Sequence, residues 1–441
     1  MKNNAVLREF IRYASANVLA MVGLSCYILA DTFFIAQALG KHGLAALNLT
    51  IPVYGLIYGS SLMLGQGGAT RYSLFREQDP SGEGRQAFSR ALQLGGLCAV
   101  LLFLAGLLCS GQIALLLGAD AATFEMCRCY IRVLLLFSPG FILNNIVQAF
   151  VRNDGAPRLS MAAMLTGCFA NILLDYIFLF PLQMGMFGAI LATCLSPLIS
   201  LLVVSPFFLQ RRNRFHLCRA SLSLKITGRL CAPGLPALIG EMSSAIVMLL
   251  FNLILLEQAG NVAVAAYGVV ANLSIVLIAI YNGIAQGTQP LFSLYCGRGQ
   301  WQHLRQLLLY GTAAVLLVSL SLYLCVLLAA DPIAALFNSE QDPLLQQIAI
   351  SGMRIYFSGC LFAGINILLS TFFAAAAQSR PASLISLSRG FLLIIPLIFL
   401  LSRLWGLTGL WLVFPLTELL VCGLALLLYH RQKPERFSAL L

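Results

Sequence analysis

Residues 97–118 read LCAVLLFLAGLLCSGQIALLLG and contain no charged side chain. A helix of this length rises ~33 Å at 1.5 Å per residue, which is enough to cross the ~30 Å hydrocarbon core of a bilayer. Across all 441 residues, 60% are hydrophobic and only 10% are charged. A soluble domain carries about 25% charged residues. Lipid must therefore be the main solvent of this chain.

Helix breakers and charged residues divide the chain into twelve apolar runs. Each run has the ~20 residues that a membrane span requires. The sequence therefore predicts an all-α bundle of twelve transmembrane helices. We place the spans near 12–38, 44–74, 88–117, 122–151, 158–181, 186–209, 228–257, 262–295, 303–329, 344–376, 382–402 and 405–429.

The positive charges predict the orientation of the spans. With the N-terminus inside, 22 of the 27 Lys and Arg residues fall in inner segments. Five fall outside, namely Lys41, Arg128, Arg132, Arg354 and Arg403. Cytoplasmic loops of membrane proteins carry such an excess. We expect both termini in the cytoplasm and the chain in the plasma membrane.

The two halves of the chain repeat each other at an offset near 220 residues. Residues 65–75 read GQGGATRYSLF, and residues 285–295 read AQGTQPLFSLY. At the same offset, Gly40 aligns with Gly260. Because six spans return the chain to its starting side, the halves are parallel repeats, related by a pseudo-two-fold axis along the membrane normal.

A second repeat signal fixes the division of the chain. The sequence MGMFG at 184–188 aligns with WGLTG at 405–409. We predict a six-helix N-terminal lobe at 1–215, which carries the ion-coupling site, and a six-helix C-terminal lobe at 228–441. A basic cytoplasmic linker at 216–227 joins them. Two such lobes are the arrangement expected of a transporter with a central cavity.

Four carboxylates lie within predicted spans: Asp31, Asp175, Glu241 and Glu418. An ionisable group inside a span costs about 2.5–3.5 kcal/mol on insertion scales, so each is a functional candidate. Glu241 and Glu418 fall close to mid-span in the second lobe. A cationic drug could pair with them, they could titrate, or they could only join helices.

In the first lobe, polar side chains of three spans fall in one layer. Asp31 in span 1, Asp175 in span 5 and Thr193 in span 6 lie ~9–12 Å from the outer ends of their spans. Asn171 precedes Asp175 by one helical turn. Such oxygen-rich clusters suit Na⁺ or a shared proton. The alternative is that protonated carboxylates only hydrogen-bond between helices.

Other polar and adaptable side chains are candidates for a substrate cavity. The amides of Asn144, Asn145 and Gln148 cluster within about a turn of span 4, which favours a cavity-facing position over a lipid-facing one. Tyr27 lies one turn before Asp31, and either a cavity role or simple packing explains it. Met164 could line an adaptable cavity or pack in the interior.

Several classes of function lack support in the sequence. The net charge of +11 is spread over span ends and short loops, so it does not form a nucleic-acid-binding patch. The 13 Cys residues lie mostly singly within apolar runs, and the four His residues are isolated. No metal site beyond Na⁺, no nucleophile with its base and no filter-like repeat can be assembled. We therefore expect neither an enzyme nor a channel.

Particular stretches resemble the MATE (multidrug and toxic compound extrusion) family of transporters. They are LADTFFIAQALGKHGLAALNLTIPVYG at 29–55, the GQGGATRYSLF that follows, and NILLDYIF with GAILATCLS in spans 5 and 6. The resemblance covers essentially the whole chain and is specific only in combination. Within the family, the sequence is similar to the prokaryotic DinF-like and MepA-like branch.

The resemblance implies a V-shaped pair of six-helix lobes that exports cationic or amphipathic compounds in exchange for Na⁺ or H⁺. It implies ion-coupling roles for Asp31, Asn171, Asp175 and Thr193, and pocket roles for Tyr27, Asn144, Asn145 and, less strictly, Gln148 and Met164. We expect a monomer in membrane lipid, with small organic substrates and no cofactor beyond the coupling ion.

One position departs from the family pattern. A proline is common about fifteen residues before the aspartate of span 1, and here that position is Ala16. A mechanism that bends span 1 at that proline is therefore in doubt. The competing function is a lipid-linked precursor flippase of the same superfamily. Such a flippase is expected to have a strongly cationic cavity, whereas the candidates here are acidic.

Overall fold

The structure, a computed structural model, describes residues 3–76, 79, 82–338 and 342–431. Three residues counted above as inner charges, Lys2, Lys433 and Arg436, lie outside these ranges. So do the two ends of the predicted lobes. The described residues form helices joined by turns and, at 210–223, by a longer non-helical segment. They are α1 (Asn3–Leu74), α2 (Glu83–Leu116), α3 (Phe124–Leu136), α4 (Ser138–Asn153), α5 (Pro157–Leu179), α6 (Gly185–Leu209), α7 (Leu224–Cys231), α8 (Leu235–Gly297), α9 (Trp301–Phe337), α10 (Pro343–Tyr356), α11 (Cys360–Ala375), α12 (Ser379–Leu387) and α13 (Ile394–Arg431).

These helices supply the twelve predicted spans. Within the described ranges, nine helical stretches are long and apolar enough to cross a membrane, and α3 with α4 forms a further span bent by 49°. Two of the nine stretches, of 70 and 53 residues, are each two spans. They divide at Gly40 and Gly406, where the backbone leaves the helical region. The prediction of an all-α, twelve-span bundle is confirmed.

Glycines with positive φ mark the turns between spans and make the repeat visible. Gly40 has φ 64° and ψ −156°, and its repeat partner Gly260 has φ 68° and ψ −162°. Gly185 and Gly406, from the second repeat signal, have φ 62° and 54°. The region near these values is open essentially to glycine alone. Glycine recurs at equivalent positions because each half makes the same turns.

The boundary of span 7 differs from the prediction. The sequence places its start near 228, whereas helix α8 begins at Leu235. A separate short helix, α7, precedes it, and its N-cap residue Ser223 accepts a hydrogen bond from the backbone N–H of Ile226 at 3.3 Å. Pro233 and Gly234 fall between the two helices. Proline favours a helix start or break, and glycine a turn, so the apolar run is interrupted there.

Span 1 contains no break at Ala16. Gly40 is the residue of α1 with non-helical dihedral angles, so the segment before it is one continuous helix. The residue beside Ala16, Asn17, is buried and contacts both lobes. Its amide nitrogen donates to the carbonyl oxygen of Gly283 at 3.2 Å. Its oxygen accepts from Nη1 of Arg152 at 2.9 Å.

The lobes meet backbone to backbone at a seam of glycines. A Cβ added at Gly283 would lie 2.6 Å from the Cα of Val18, and one at Gly287 would lie 2.8 Å from the carbonyl oxygen of Tyr13. A Cβ at Gly67 would overlap the carbonyl oxygen of Leu230. Small residues permit this close approach of membrane helices.

Polar side chains reinforce the seam. Nδ2 of Asn153 donates to Oε1 of Gln289 at 3.2 Å, and Nε2 of Gln289 donates to Oγ1 of Thr70 at 2.8 Å. Near the chain start, the hydroxyl of Tyr295 donates to Oε2 of Glu9 at 2.5 Å. These inter-lobe bonds lie in the half of the bundle where α1 begins and α13 ends. The lobes are therefore joined at that end.

Candidate ion-coupling and substrate site

Span 1 and helix α5 bring two carboxylates into the interior of the first lobe. The side chain of Asp31 is 7% exposed, and that of Asp175 is fully buried. The charge of Asp31 acts on the carboxyl group of Asp175. Oδ1 of Asp31 and Oδ1 of Asp175 have no hydrogen-bond partner. A buried polar atom without a partner is costly, so this pair is poised to take a cation.

Asn171 links this pair to helix α6. With its amide nitrogen toward Asp175, it donates to Oδ2 at 3.0 Å, and its oxygen accepts from the backbone N–H of Thr193 at 3.2 Å. The hydroxyl of Thr193 donates to the carbonyl oxygen of Ala189 at 3.3 Å. The structure thus joins Asn171, Asp175 and Thr193 by hydrogen bonds, and Asp31 lies within electrostatic range of Asp175.

An apolar cluster packs in the same lobe as these polar residues. The rings and chains of Ile35, Tyr130, Leu134 and Ile190 are buried together in this cluster. Tyr130 also lies within electrostatic range of both aspartates. In surroundings of low dielectric, electrostatic interactions are stronger than in water. A proton or Na⁺ entering this site would therefore change its electrostatic energy strongly.

Three tyrosines extend from this site toward the second lobe. The hydroxyl groups of Tyr27 and Tyr54 are hydrogen-bonded at 2.9 Å. The ring of Tyr54 stacks on that of Tyr58, with centroids 5.7 Å apart and an angle of 12° between planes. Tyr54 lies within electrostatic range of both Asp31 and Glu241. Aromatic faces attract organic cations, so this row suits a cationic ligand.

Glu241 is the carboxylate that the second lobe presents to this row. It is half-buried on α8 and packs against span 2, where a Cβ added at Gly59 would lie 3.1 Å from the Cβ of Glu241. Its charge acts on Tyr58. Among the described side chains, none forms an ion pair with it. Glu241 is therefore available to a cation between the lobes.

Glu418 has different surroundings. It is 2% exposed, and its Oε1 pairs with Nε of Arg389 at 2.5 Å. Nδ2 of Asn366 donates to its Oε2 at 2.7 Å. The sequence treats Arg389 only as an inner orientation charge, but the π-helical turn Ser388–Leu392 carries it. The charge of Glu418 is thus already compensated inside the lobe.

Two amides of span 4, Asn145 and Gln148, line a small cavity with several other polar groups, and Asn144 contacts it only through Gln148. Nδ2 of Asn145 donates to Oγ of Ser61 at 2.8 Å. Nε2 of Gln148 donates to Oγ of Ser200 at 2.9 Å and to Oδ1 of Asn144 at 3.4 Å. The cavity is lined by Met21, Tyr58, Leu62, Gln66, Asn145, Gln148, Ala149, Arg152, Met164 and Gln286. Gln286 belongs to the second lobe, so this cavity lies between the lobes.

The sequence did not identify Tyr54, Tyr58 or Arg152 as site residues. The two tyrosines lie in an apolar span, where aromatic residues are usual and carry no separate signal. Arg152 lies near a span end and is explained there by orientation alone. The side chain of Arg152 is only 4% exposed. It is buried where it contacts Asn17 of span 1, which is 135 residues away in the sequence.

Known proteins match this chain along its length. The family model described as MatE matches residues 17–177 and 236–400. Multidrug export protein MepA of Staphylococcus aureus (strain MSSA476) is 26% identical over 387 residues, which are 87% of this chain and 84% of that protein. MepA of Staphylococcus saprophyticus is 25% identical over 431 residues, 97% of this chain and 94% of that protein.

A solved structure has the same fold. It is described as the outward-facing conformation of a multidrug resistance MATE family transporter of the MOP superfamily, and it superposes with a TM-score of 0.90 at 22% identity. The superposition covers 100% of this chain and 99% of that chain. The family match spans well over half of the chain and both of its six-helix repeats. This chain belongs to the MATE family of transporters.

Proposed function

We propose that this protein is a secondary antiporter that exports cationic or amphipathic organic compounds in exchange for Na⁺ or H⁺. The observation that carries the proposal is the buried pair Asp31 and Asp175, each with an oxygen that has no partner. A dedicated ion site inside one lobe is what an antiporter requires and a simple pore does not. The names of the relatives, which are multidrug export proteins, point to the same class of substrate.

The pair can exchange ions because two ionised carboxylates in one buried site are unfavourable without a proton or a bound cation. Two like charges in one buried site repel each other. A proton on one carboxyl, or a Na⁺ between both, removes that repulsion and satisfies the open oxygen atoms. The hydroxyl of Thr193 can supply a further oxygen ligand, which suits Na⁺, and Asn171 orients Oδ2 of Asp175 by its hydrogen bond.

Span 1 is the element that couples the ion site to the drug path. It carries Asp31 at the ion site, Tyr27 beside the row of tyrosines, and Asn17 at the seam. A change in its position after ion binding acts on all three places. Alternating access would open the seam on one side of the membrane and bring the lobes together on the other.

The substrate is proposed to bind between Glu241 and the row Tyr27, Tyr54 and Tyr58. A carboxylate beside stacked rings attracts an organic cation through both charge and the aromatic faces. This acidic and aromatic lining favours drug export over the flippase alternative, for which a strongly cationic cavity is expected. The chain ends and the seam are proposed to face the cytoplasm, with the protein in the plasma membrane as a monomer.

Liposomes containing the purified protein provide the test. Ethidium movement should depend on an imposed Na⁺ or proton gradient, and the gradient that drives it identifies the coupling ion. Asp31→Asn and Asp175→Asn should each abolish the gradient-driven movement. Glu257→Gln, an exposed carboxylate at the end of span 7, is the matched control and should transport normally. Near-normal transport by both aspartate variants would contradict the assignment.

A further inference from the structure

A group of arginines lies beside the short helix α7, where span 2 ends and span 3 begins. Arg71 of α1, Arg90 of α2 and Arg229 of α7 line one pocket together with Glu83, Ala87, Ile226 and Leu230. This arginine pocket has three positive charges and one negative charge. Its net charge is therefore positive, and it belongs to neither the ion site nor the drug path.

Glu83 does not neutralise the arginine pocket. Its Oε2 lies 3.4 Å from Nη1 of Arg71, and its Oε1 lies 3.2 Å from Nη1 of Arg229. It thus bridges two arginines and leaves Arg90 without a carboxylate among the described residues. Arg90 donates from Nη2 to Oε1 of Gln86.

Arg90 gives evidence for an anion in the pocket that is independent of the net charge. Its side chain is 8% exposed, and its Nε has no hydrogen-bond partner in the described part of the chain. A buried guanidinium nitrogen without an acceptor costs free energy. An anion that enters the pocket would accept from it. Arginine matches phosphate oxygens in particular, because its planar fork presents several donors in fixed directions.

The surroundings of the pocket indicate where that anion comes from. The segment before α7 runs along the outside of span 3, where Nε2 of Gln93 donates to the carbonyl oxygen of Ala220 at 3.2 Å. The segment and α7 expose three large apolar side chains, Leu217 at 74%, Leu222 at 42% and Leu224 at 91%. Exposed leucines beside basic residues at a span end are typical of a segment that lies in the bilayer interface.

We propose that the arginine pocket binds a phosphate group, and that its source is the headgroup of an anionic phospholipid in the adjoining leaflet. The phosphate would accept from Nε of Arg90 and from the guanidinium groups of Arg71 and Arg229, which line the same pocket. The acyl chains would then lie against the exposed leucines. Because α7 leads directly into span 7, the bound lipid would hold the start of the second lobe against the first.

Thermal unfolding of the full-length protein in detergent tests the proposal. Phosphatidylglycerol, phosphatidylcholine and inorganic phosphate are added separately, and Tm is recorded for each. Phosphatidylglycerol should raise the Tm of the wild type more than phosphatidylcholine does. Arg90→Gln and Arg229→Gln should reduce this excess, with the affinity for phosphatidylglycerol falling about fivefold for each arginine removed. Arg158→Gln, an exposed arginine at the start of α5, should leave it unchanged.

The arms of the experiment separate the possible results. An equal, Arg90-dependent effect of inorganic phosphate would keep the phosphate site but overturn the lipid as its source. Equal effects of the two lipids, or loss of the effect in Arg158→Gln as well, would overturn the site. If Arg90→Gln fails to fold, Arg229→Gln still decides, because Arg229 is half exposed. Native mass spectrometry of retained lipid is a second readout, and none of these measurements depends on transport.

Discussion

Glu241 and Glu418 are both carboxylates in spans of the second lobe, yet their surroundings give them different properties. Glu241 faces the row of tyrosines without a basic partner among the described residues. Glu418 pairs with Arg389 and accepts from Asn366. At the scale of the residue, the first is therefore a candidate for binding cationic substrates, and the second stabilises its own lobe.

Glu241→Gln should weaken export of ethidium-like cations more than export of neutral compounds. The amide keeps the shape of the side chain but removes the charge that attracts an organic cation in a cavity of low dielectric. Efflux of one cationic and one neutral compound from the same cells, at equal protein abundance, measures the difference. Equal losses for both compounds would assign Glu241 to coupling or folding instead.

Glu418→Gln should lower Tm, because it leaves the guanidinium of Arg389 without its counter-charge. Removing one partner of a buried pair costs roughly 3 kcal/mol, and the partial exposure of Arg389 reduces that figure. The double variant Glu418→Gln with Arg389→Leu should recover part of the loss. No recovery in the double variant would show that the pair does not account for the stability of this region.

The sequence predicts where a residue lies when its position depends only on its place along one helix and on the resulting depth in the membrane. The rise per residue predicts one layer for Asp31, Asn171, Asp175 and Thr193, and in the structure Asn171 is hydrogen-bonded to both Asp175 and Thr193. The partner of Glu418 could not be predicted in this way. It depends on how a π-helical turn directs Arg389 toward a helix 29 residues further along the chain, which no periodicity encodes.

At the scale of the element, the turns between spans depend on single glycines. Gly260→Ala should lower the free energy of unfolding by about 1–3 kcal/mol, since the backbone region it occupies is open essentially to glycine alone. Gly268→Ala on the same helix is the matched control. A Cβ meets nothing within 4 Å at either position, so only the backbone differs. Thermal unfolding of both variants makes the comparison, and equal Tm values would contradict the argument.

The sequence predicted the spans well and their interruptions poorly. Apolar length and flanking charges place span ends to within a few residues, because both follow from the thickness of the bilayer. Helix α7 was missed since its apolar residues continue those of span 7. The 49° bend between α3 and α4 leaves the hydropathy of span 4 unchanged, but Pro139 in the first turn of α4 marks its place in the sequence, because a proline inside a span predicts a kink.

At the scale of the whole molecule, orientation remains a prediction from the positive charges. A cysteine placed at Ser221, before α7, should react with an impermeant maleimide only after the cells are opened. The exposed native cysteines Cys26, Cys109 and Cys325 are replaced first. A cysteine at Arg403, on the predicted outer side, is the control and should react in intact cells. Labelling of the Ser221 position in intact cells would reverse the whole topology.

The glycine seam has a consequence for how fast the lobes can separate. Where Gly283 and Gly287 face the backbone of span 1, no side chain of either glycine has to change rotamer as the surfaces part. Around the glycines, however, the apolar side chains of Phe10, Tyr13 and Ala14 pack in one cluster with side chains of the second lobe, so separation must expose this area to water as well as break hydrogen bonds such as those of Asn17 and Gln289. Water entering the opening can replace those bonds one by one. We therefore expect the exposure of this apolar area, and not side-chain rearrangement at the glycines, to determine how fast the lobes separate in each cycle.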